Sequence, residues 1–188
     1  MDTTILVSIV AAALLLIIGI LLFNTMVGRK NRVQFAFAGI DAQLKKRFDL
    51  IPNLIATVQR YMQHEQQVLH ELTSLRSRAI TGSATTDDLV RMDNQLSSAL
   101  RSVFALAENY PQLRATENFM QLQGALNETE EQLAAARRAY NAAVTDYNNG
   151  CEMFPLSVVA RMMGYRTRAW FEISDDERRN VNVKELWS

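Results

Sequence analysis

Hydrophobic residues in this chain fall into two regimes. No charged side chain occurs between Thr3 and Gly28, and residues 5–23 are an almost unbroken run of Ile, Leu, Val and Ala. At about 1.5 Å of rise per residue, a helix of that length covers a bilayer core of about 30 Å, so the run predicts a single transmembrane helix. After Arg29 the apolar residues become periodic. Val33, Phe37, Ile40, Leu44, Ile51, Leu54, Val58, Tyr61, Val68, Leu72, Leu75 and Ala79 recur at steps of three and four, interrupted only at Arg47 and Glu65. This spacing predicts a coiled-coil-like seam on one long helix, or on two helices in one register.

Two further seams follow. Leu89, Met92, Leu96, Ala99, Val103, Leu106 and Tyr110 form one, after the loop Thr81-Gly82-Ser83-Ala84-Thr85, with Thr86 as N-cap and Asp87 and Asp88 at the positive helix start. Phe119, Leu122, Leu126, Thr129, Leu133, Ala136, Tyr140, Ala143 and Tyr147 form the other, with Thr116 as N-cap and Asn148-Asn149-Gly150 as a left-handed stop. Pro155 opens a short helix over residues 157–163 that Gly164 ends, and the aromatic residues near Trp170 are expected to dock while roughly the last dozen residues stay mobile. The fold class is therefore all-α: an N-terminal transmembrane helix followed by an antiparallel bundle of long helices. The expected division is 1–28 for a short external N-terminus and the span, 29–164 for the bundle, and 165–188 for a partly docked tail.

Charge sharpens the membrane reading. A cleaved secretory signal needs a basic start, a shorter apolar core and a small-x-small site, whereas here only Asp2 precedes the run and Asn24-Thr25-Met26-Val27 follows it. Arg29, Lys30 and Arg32 lie just after the run, which predicts an N-terminus outside and a cytoplasmic bundle. The 20 Lys plus Arg balance the 20 Asp plus Glu, without the basic surplus that counterion release from nucleic acid rewards, so no nucleic acid partner is expected. The single cysteine cannot form an internal disulfide.

Several blocks stand out along the chain: Gln43-Leu44-Lys45-Lys46-Arg47-Phe48-Asp49-Leu50-Ile51-Pro52-Asn53-Leu54 with Val58, Tyr61 and His64-Glu65, then Tyr110-Pro111-Gln112-Leu113-Arg114-Ala115 with Glu117-Asn118-Phe119, then Ala136-Arg137-Arg138-Ala139-Tyr140-Asn141, Asp146-Tyr147-Asn148 and Phe154-Pro155. Together they resemble the LemA family of bacterial membrane proteins. The likeness covers roughly residues 31–172 and gives no guidance for the tail after Glu172. The resemblance implies a short external N-terminus, one span and a cytoplasmic helical bundle, and it implies no catalytic residues.

Conventional chemistry is sparse. His64 and His70 are six residues apart, on different helix faces, and no third ligand stands at a metal-binding spacing. Cys151 has no histidine near it in sequence, and no glycine-rich phosphate loop is present. Glu128, Glu130 and Glu131 lack the Glu-x-x-His pairs of a di-metal bundle and are expected on a solvated face, while Tyr140 and Tyr147, seven apart, read as packing residues. No catalytic residue, cofactor or metal is expected.

Arg47 and Glu65 are more telling, because each puts a charge in a seam position. Burying an unpaired charge costs several kcal/mol, so each needs an opposite charge, an edge or a partner protein. Length adds a second lead. If residues 33–79 form one helix of about 70 Å, bent but not reversed at Pro52, the shorter helices leave its membrane-proximal part bare. Val33, Phe37, Ile40 and Leu44, with Arg47 at the upper edge, are then expected to pack on a neighbouring copy or partner. The function these features suggest is a membrane-anchored, non-enzymatic scaffold or adaptor acting as a homo-oligomer in membrane organisation. The alternative is a module that senses a ligand in the bundle and signals along the first helix.

Overall fold

The structure, a computed structural model, describes residues 3–81 and 86–171. The loop over residues 82–85 and the tail with Glu172, Asp175, Asp176, Glu177 and Trp187 lie outside the described residues, as does the side chain of the expected cap Thr86. Among the described residues six helices follow one another: α1 Thr3–Val58, α2 Gln66–Thr81, α3 Thr86–Ala107, α4 Pro111–Arg114, α5 Glu117–Glu152 and α6 Leu156–Met162. No strand occurs among the described residues, and the all-α expectation holds.

α1 carries the apolar run and continues without a break through Gly28 and Pro52. It is the one described helix long and apolar enough to cross a membrane, and none of its most apolar window is buried. An exposed Ile/Leu/Val surface of that length is unstable in water and stable in lipid, which points to membrane association. Pro52 is tolerated inside the helix, as the unbroken phase across it predicts.

The single helix expected over residues 33–79 is instead two. The carbonyl of Val58 accepts bonds from the amides of both Tyr61 and Met62, at 3.0 and 2.9 Å, and Glu65 N–H donates to Met62 at 3.1 Å, closing a turn over residues 59–65. Met62 is buried there and Tyr61 is exposed, so the seam slips by one position. No Gly or Pro marks this turn; the inward pull of Met62 makes it. Glu65 thus leaves the seam and sits just before α2, where its negative charge suits a helix N-terminus.

The described residues divide into two compact units, one holding 3–41 and 134–170, the other 42–81, 86–133 and 171. In the second unit α3 sets Asp93 against Arg47 of α1, and its far end sets Phe104 against Phe119 of α5 with ring centroids 5.9 Å apart. The start of α5 in turn lines a groove with residues Ala56, Thr57, Arg60 and Tyr61. α3 therefore runs alongside the second half of α1 in the same direction, and α2 and α5 run the opposite way. The result is a four-helix bundle around Phe48, Ile51, Leu54, Leu72, Leu75, Leu96, Val103, Leu126 and Leu133, all buried.

In the first unit α5 descends antiparallel to α1. Phe37 meets Tyr140 at 6.0 Å between centroids, Arg29 Nη1 donates to the carbonyl of Asp146 at 2.5 Å, and Gly150 faces Met26 and Arg29. Gly150 does not stop the helix, contrary to the expected Asn-Asn-Gly stop: α5 continues to Glu152. Its job is close approach, since a Cβ there would lie 3.0 Å from Met26 Sδ. α6 ends at Met162, and Gly164 follows with φ of +67°, matching the expected short helix and its glycine stop.

Candidate functional site

Arg47 is the best-built polar site in the chain. α1 carries it on the same face as buried Leu44, Ile51 and Leu54, which drives its guanidinium into the second unit's core. There Nη1 lies 2.8 Å from Asp93 Oδ1 and 3.1 Å from Ser97 Oγ, and Nη2 lies 2.6 Å from Glu130 Oε2. Asp93 and Ser97 are one turn apart on α3, and Glu130 comes from α5. The planar fork of Arg thus ties three helices with charge-assisted bonds, which Lys, a point charge, would not reproduce. Asp93 is fully buried while Glu130 is partly exposed, so one carboxylate is desolvated and the other opens on a groove of about 240 Å³. Ser97, Leu100, Arg101, Phe104, Leu126 and Asn127 complete that groove.

The sequence pointed to Arg47 but missed its partners. Asp93 is four residues after Leu89 and three before Leu96, so it lies on the buried face of α3; a seam counted in apolar residues steps over it. Glu130 was grouped with a solvated carboxylate run, and its neighbours Glu128 and Glu131 are indeed exposed, with Glu128 3.8 Å from Lys46. Glu130 differs because it is next to buried Thr129. A charge in one seam requires its opposite in a facing seam, and that rule would have found Asp93.

The other residues singled out sort differently. Val33 and Ile40 are 0 % exposed and Leu44 is 2 %, within a single chain, and Phe37 is half-buried against Tyr140. The premise that this stripe stands bare is therefore corrected: in the first unit α5 runs back along α1 and covers Val33, Phe37 and Ile40, and Leu44 is buried in the second. The length argument failed because the turn at residues 59–65 leaves α5, rather than the return of an uninterrupted helix, to cover this stretch. Glu65 lies in that turn and not in a core seam. His64 and His70 are both exposed, and no group of three metal-ligating side chains occurs among the described residues.

Tyr140 and Tyr147 are packing residues as expected, both buried. Burial raises the Tyr140 hydroxyl above its ordinary value, against the opposing effect of Arg168. Burial, helped by a hydrogen bond with the Cys151 thiol, pushes Tyr147 up to about 12. Asn148 fastens the irregular segment that follows α6. Its side-chain amide both donates to and accepts from the backbone of Arg168, each at 2.9 Å, and Trp170 Nε1 donates to Thr145 Oγ1 at 3.0 Å. These bonds tie Arg168 and Trp170 to α5.

A family model described as the LemA family matches residues 36–184, well over half of the chain. The chain belongs to the LemA family. The match runs past Glu172, so the family pattern extends into the tail that the sequence motifs had left outside. Among known proteins the chain is 27 % identical over 179 residues to Protein LemA of Metamycoplasma hominis, covering 92 % of this chain and 81 % of that protein. It is 21 % identical over 175 residues to Magnetosome protein MamQ 2 of Paramagnetospirillum magneticum, covering 80 % of this chain and 64 % of the relative. A shorter match, 24 % over 83 residues, covers 30 % of Magnetosome protein MamQ of Magnetospirillum gryphiswaldense. For the magnetosome relatives, then, the chain spans less than two thirds of the whole protein. Membrane association by one apolar helix and a LemA-type bundle are what these observations establish together.

Proposed function

We propose that this LemA-family chain is a single-span anchored, non-enzymatic adaptor that holds a rigid helical bundle at the cytoplasmic face of the bacterial inner membrane and works by helix-face contacts. One observation supports this most: α1 runs from the exposed apolar segment into the buried positions Ile51 and Leu54 as one helix. The anchor and the bundle's core therefore share one helix. Arg29, Lys30 and Arg32 directly after the apolar segment support the cytoplasmic orientation. The relatives' names mention a structure and a family, not a reaction.

Self-association falls to the outward face of α1, because the Val33–Ile40 stripe is covered. Phe35, 84 % exposed, stands on that face and is the residue a neighbouring copy would bury. Purification in a gentle detergent with mass measurement, beside crosslinking in intact membranes, tests the reading: a homo-oligomer weakened by Phe35→Ser is expected, and a monomer with no crosslinked neighbour of any kind would overturn it. Orientation is read by an impermeant thiol reagent on whole cells, with labelling expected for Asp2→Cys and protection for Ser188→Cys. The second reading, ligand sensing, is favoured by the groove whose floor holds Arg47 and by a polar groove of about 480 Å³ lined by Asn53, Thr57, Asn118 and Gln121. A small molecule that raises the melting temperature of the wild type but not of Gln121→Leu would favour it.

A further inference from the structure

α6 is amphipathic in the reverse sense to a bundle helix. Ser157 and Ala160 face inward and are buried, while Val158 is 50 % and Met162 83 % exposed. Phe154, in the turn just before, is 83 % exposed and Met153 62 %. Positions 158 and 162 are four apart on α6 and share one outward face, and exposed Phe154 stands in the turn just before it. A helix in water turns such a stripe toward its core. Here the core has taken the small and polar side instead.

The height of this face in the first unit says what covers it. Gly150 packs at the level of Met26 and Arg29 on α1, and α5 runs antiparallel to α1 for two more residues before ending at Glu152. Two residues are about 3 Å of descent. Met153 and Phe154 therefore lie level with the last residues of the apolar run, where Leu21 and Phe23 are themselves exposed. The outward face of α6 lies at the height where the exposed apolar surface of α1 ends.

Charge fits the same place. Arg161 on α6 and Arg166 after it are exposed, and Lys30, on the turn after Met26, holds its ammonium 5.2 Å from the Tyr165 ring centroid. Long cationic side chains beside buried apolar ones match the headgroup boundary, where the stem lies in hydrocarbon and the charge in the polar layer. Glu152 is the acidic residue on this edge, at the last position of α5.

We propose that the segment from Met153 to Met162 is a second membrane contact, an interfacial element whose Phe154, Val158 and Met162 insert into the lipid surface at the foot of the span. The segment makes α1 a post with a footing: the first unit is fixed in tilt and rotation against the bilayer as well as tethered to it. This rests on residues 5–23 crossing the membrane and on no choice between adaptor and sensor.

The test uses the full chain with Cys151→Ser, in lipid nanodiscs, labelled with an environment-sensitive fluorophore at Phe154→Cys or Met162→Cys. Ile17→Cys reports on the span and Ala139→Cys, exposed on α5, reports on the aqueous surface. Expected are quenching by acyl-chain nitroxide lipids and loss of quenching by aqueous iodide at 154 and 162, as at 17, with the reverse at 139. Iodide quenching at 154 and 162 equal to that at 139, with Ile17→Cys still quenched by lipid, would overturn the proposal and leave the span intact. Shielding from iodide without quenching by lipid would overturn it too, since protein and not lipid would then cover the face. Iodide quenching at Ile17→Cys would remove the span along with the proposal.

Discussion

The two units of this protein solve the same packing problem with different means. In the unit that holds the apolar run, α5 covers α1 by close approach, Gly150 against Met26 and Phe37 against Tyr140, and Tyr165, after α6, sets its ring 6.2 Å from that of Tyr147. In the other unit four helices surround a core wide enough to take charge, and Arg47, Asp93 and Glu130 join three of them. A two-helix contact gives a buried charge too little cover from water to make it specific, and a four-helix core gives glycine little reason to appear. Contact distance sets the register in the first case. Ion-pair geometry sets it in the second.

The largest effect expected from breaking that contrast is at Asp93. Asp93→Ala leaves Arg47 buried with one carboxylate fewer, and loss of one partner from a buried pair costs about 3–5 kcal/mol. Thermal unfolding of the detergent-solubilised chain, followed by circular dichroism, should show it. The double variant Arg47→Met with Asp93→Leu should recover most of the loss, because the two most buried charges go together and Glu130, which remains, is partly exposed and can turn to water. A double variant as unstable as the single one would mean that the ionic geometry itself holds the unit.

In the close-packed unit Ile40→Ala should cost about 2–5 kcal/mol, the ordinary range for emptying a fully buried site. The same melt reads it, and an effect near zero would return Ile40 to the surface. Gly150→Leu is expected to cost about 1–3 kcal/mol by overpacking against Met26 and Arg29. Gly150→Ala should cost less, because the nearest atoms belong to flexible side chains. An equivalent change at Gly124, whose Cβ would meet nothing within 4 Å, should be tolerated and serves as the control.

The smallest effect at neutral pH is at Tyr147. Its ordinary value is 10.0 and the folded chain raises it to about 12, so the neutral hydroxyl is favoured by folding. This contribution is fully present below pH 10 and is lost as pH rises through 12, because the unfolded chain releases the proton first. Stability of the wild type should fall across that window more steeply than that of Tyr147→Phe. Parallel curves would show that the hydroxyl titrates freely.

Much of this architecture was legible in the residues. The apolar run, the seam from Val33 to Val58 through Pro52, the third seam ending in two buried tyrosines and the stop at Gly164 all follow from spacing alone. The turn at residues 59–65 was not legible, because it is made by burial of Met62 and by two amides sharing the Val58 carbonyl, without Gly or Pro. That one omission also produced the mistaken bare stripe, since the course of α5 depends on how many reversals precede it. At the charged site, the seam showed Arg47 as an exception to an apolar pattern but could not show Asp93, which is an exception to a different pattern on a different helix. Asn148 was visible as an amide beside the seam, yet its partner is a backbone twenty residues later in an irregular segment, which no periodicity marks.

Whether α5 of the same chain covers the membrane-proximal stripe can be measured directly. Phe37→Cys with Tyr140→Cys, in a Cys151→Ser background, is expressed as an equal mixture of light and heavy isotope-labelled chains, treated in native membranes with a short bismaleimide, and the linked peptides are weighed. An intramolecular contact predicts linked pairs that are light with light or heavy with heavy. Mixed light and heavy pairs would show that the stripe is covered by a neighbouring copy and would contradict the fold described.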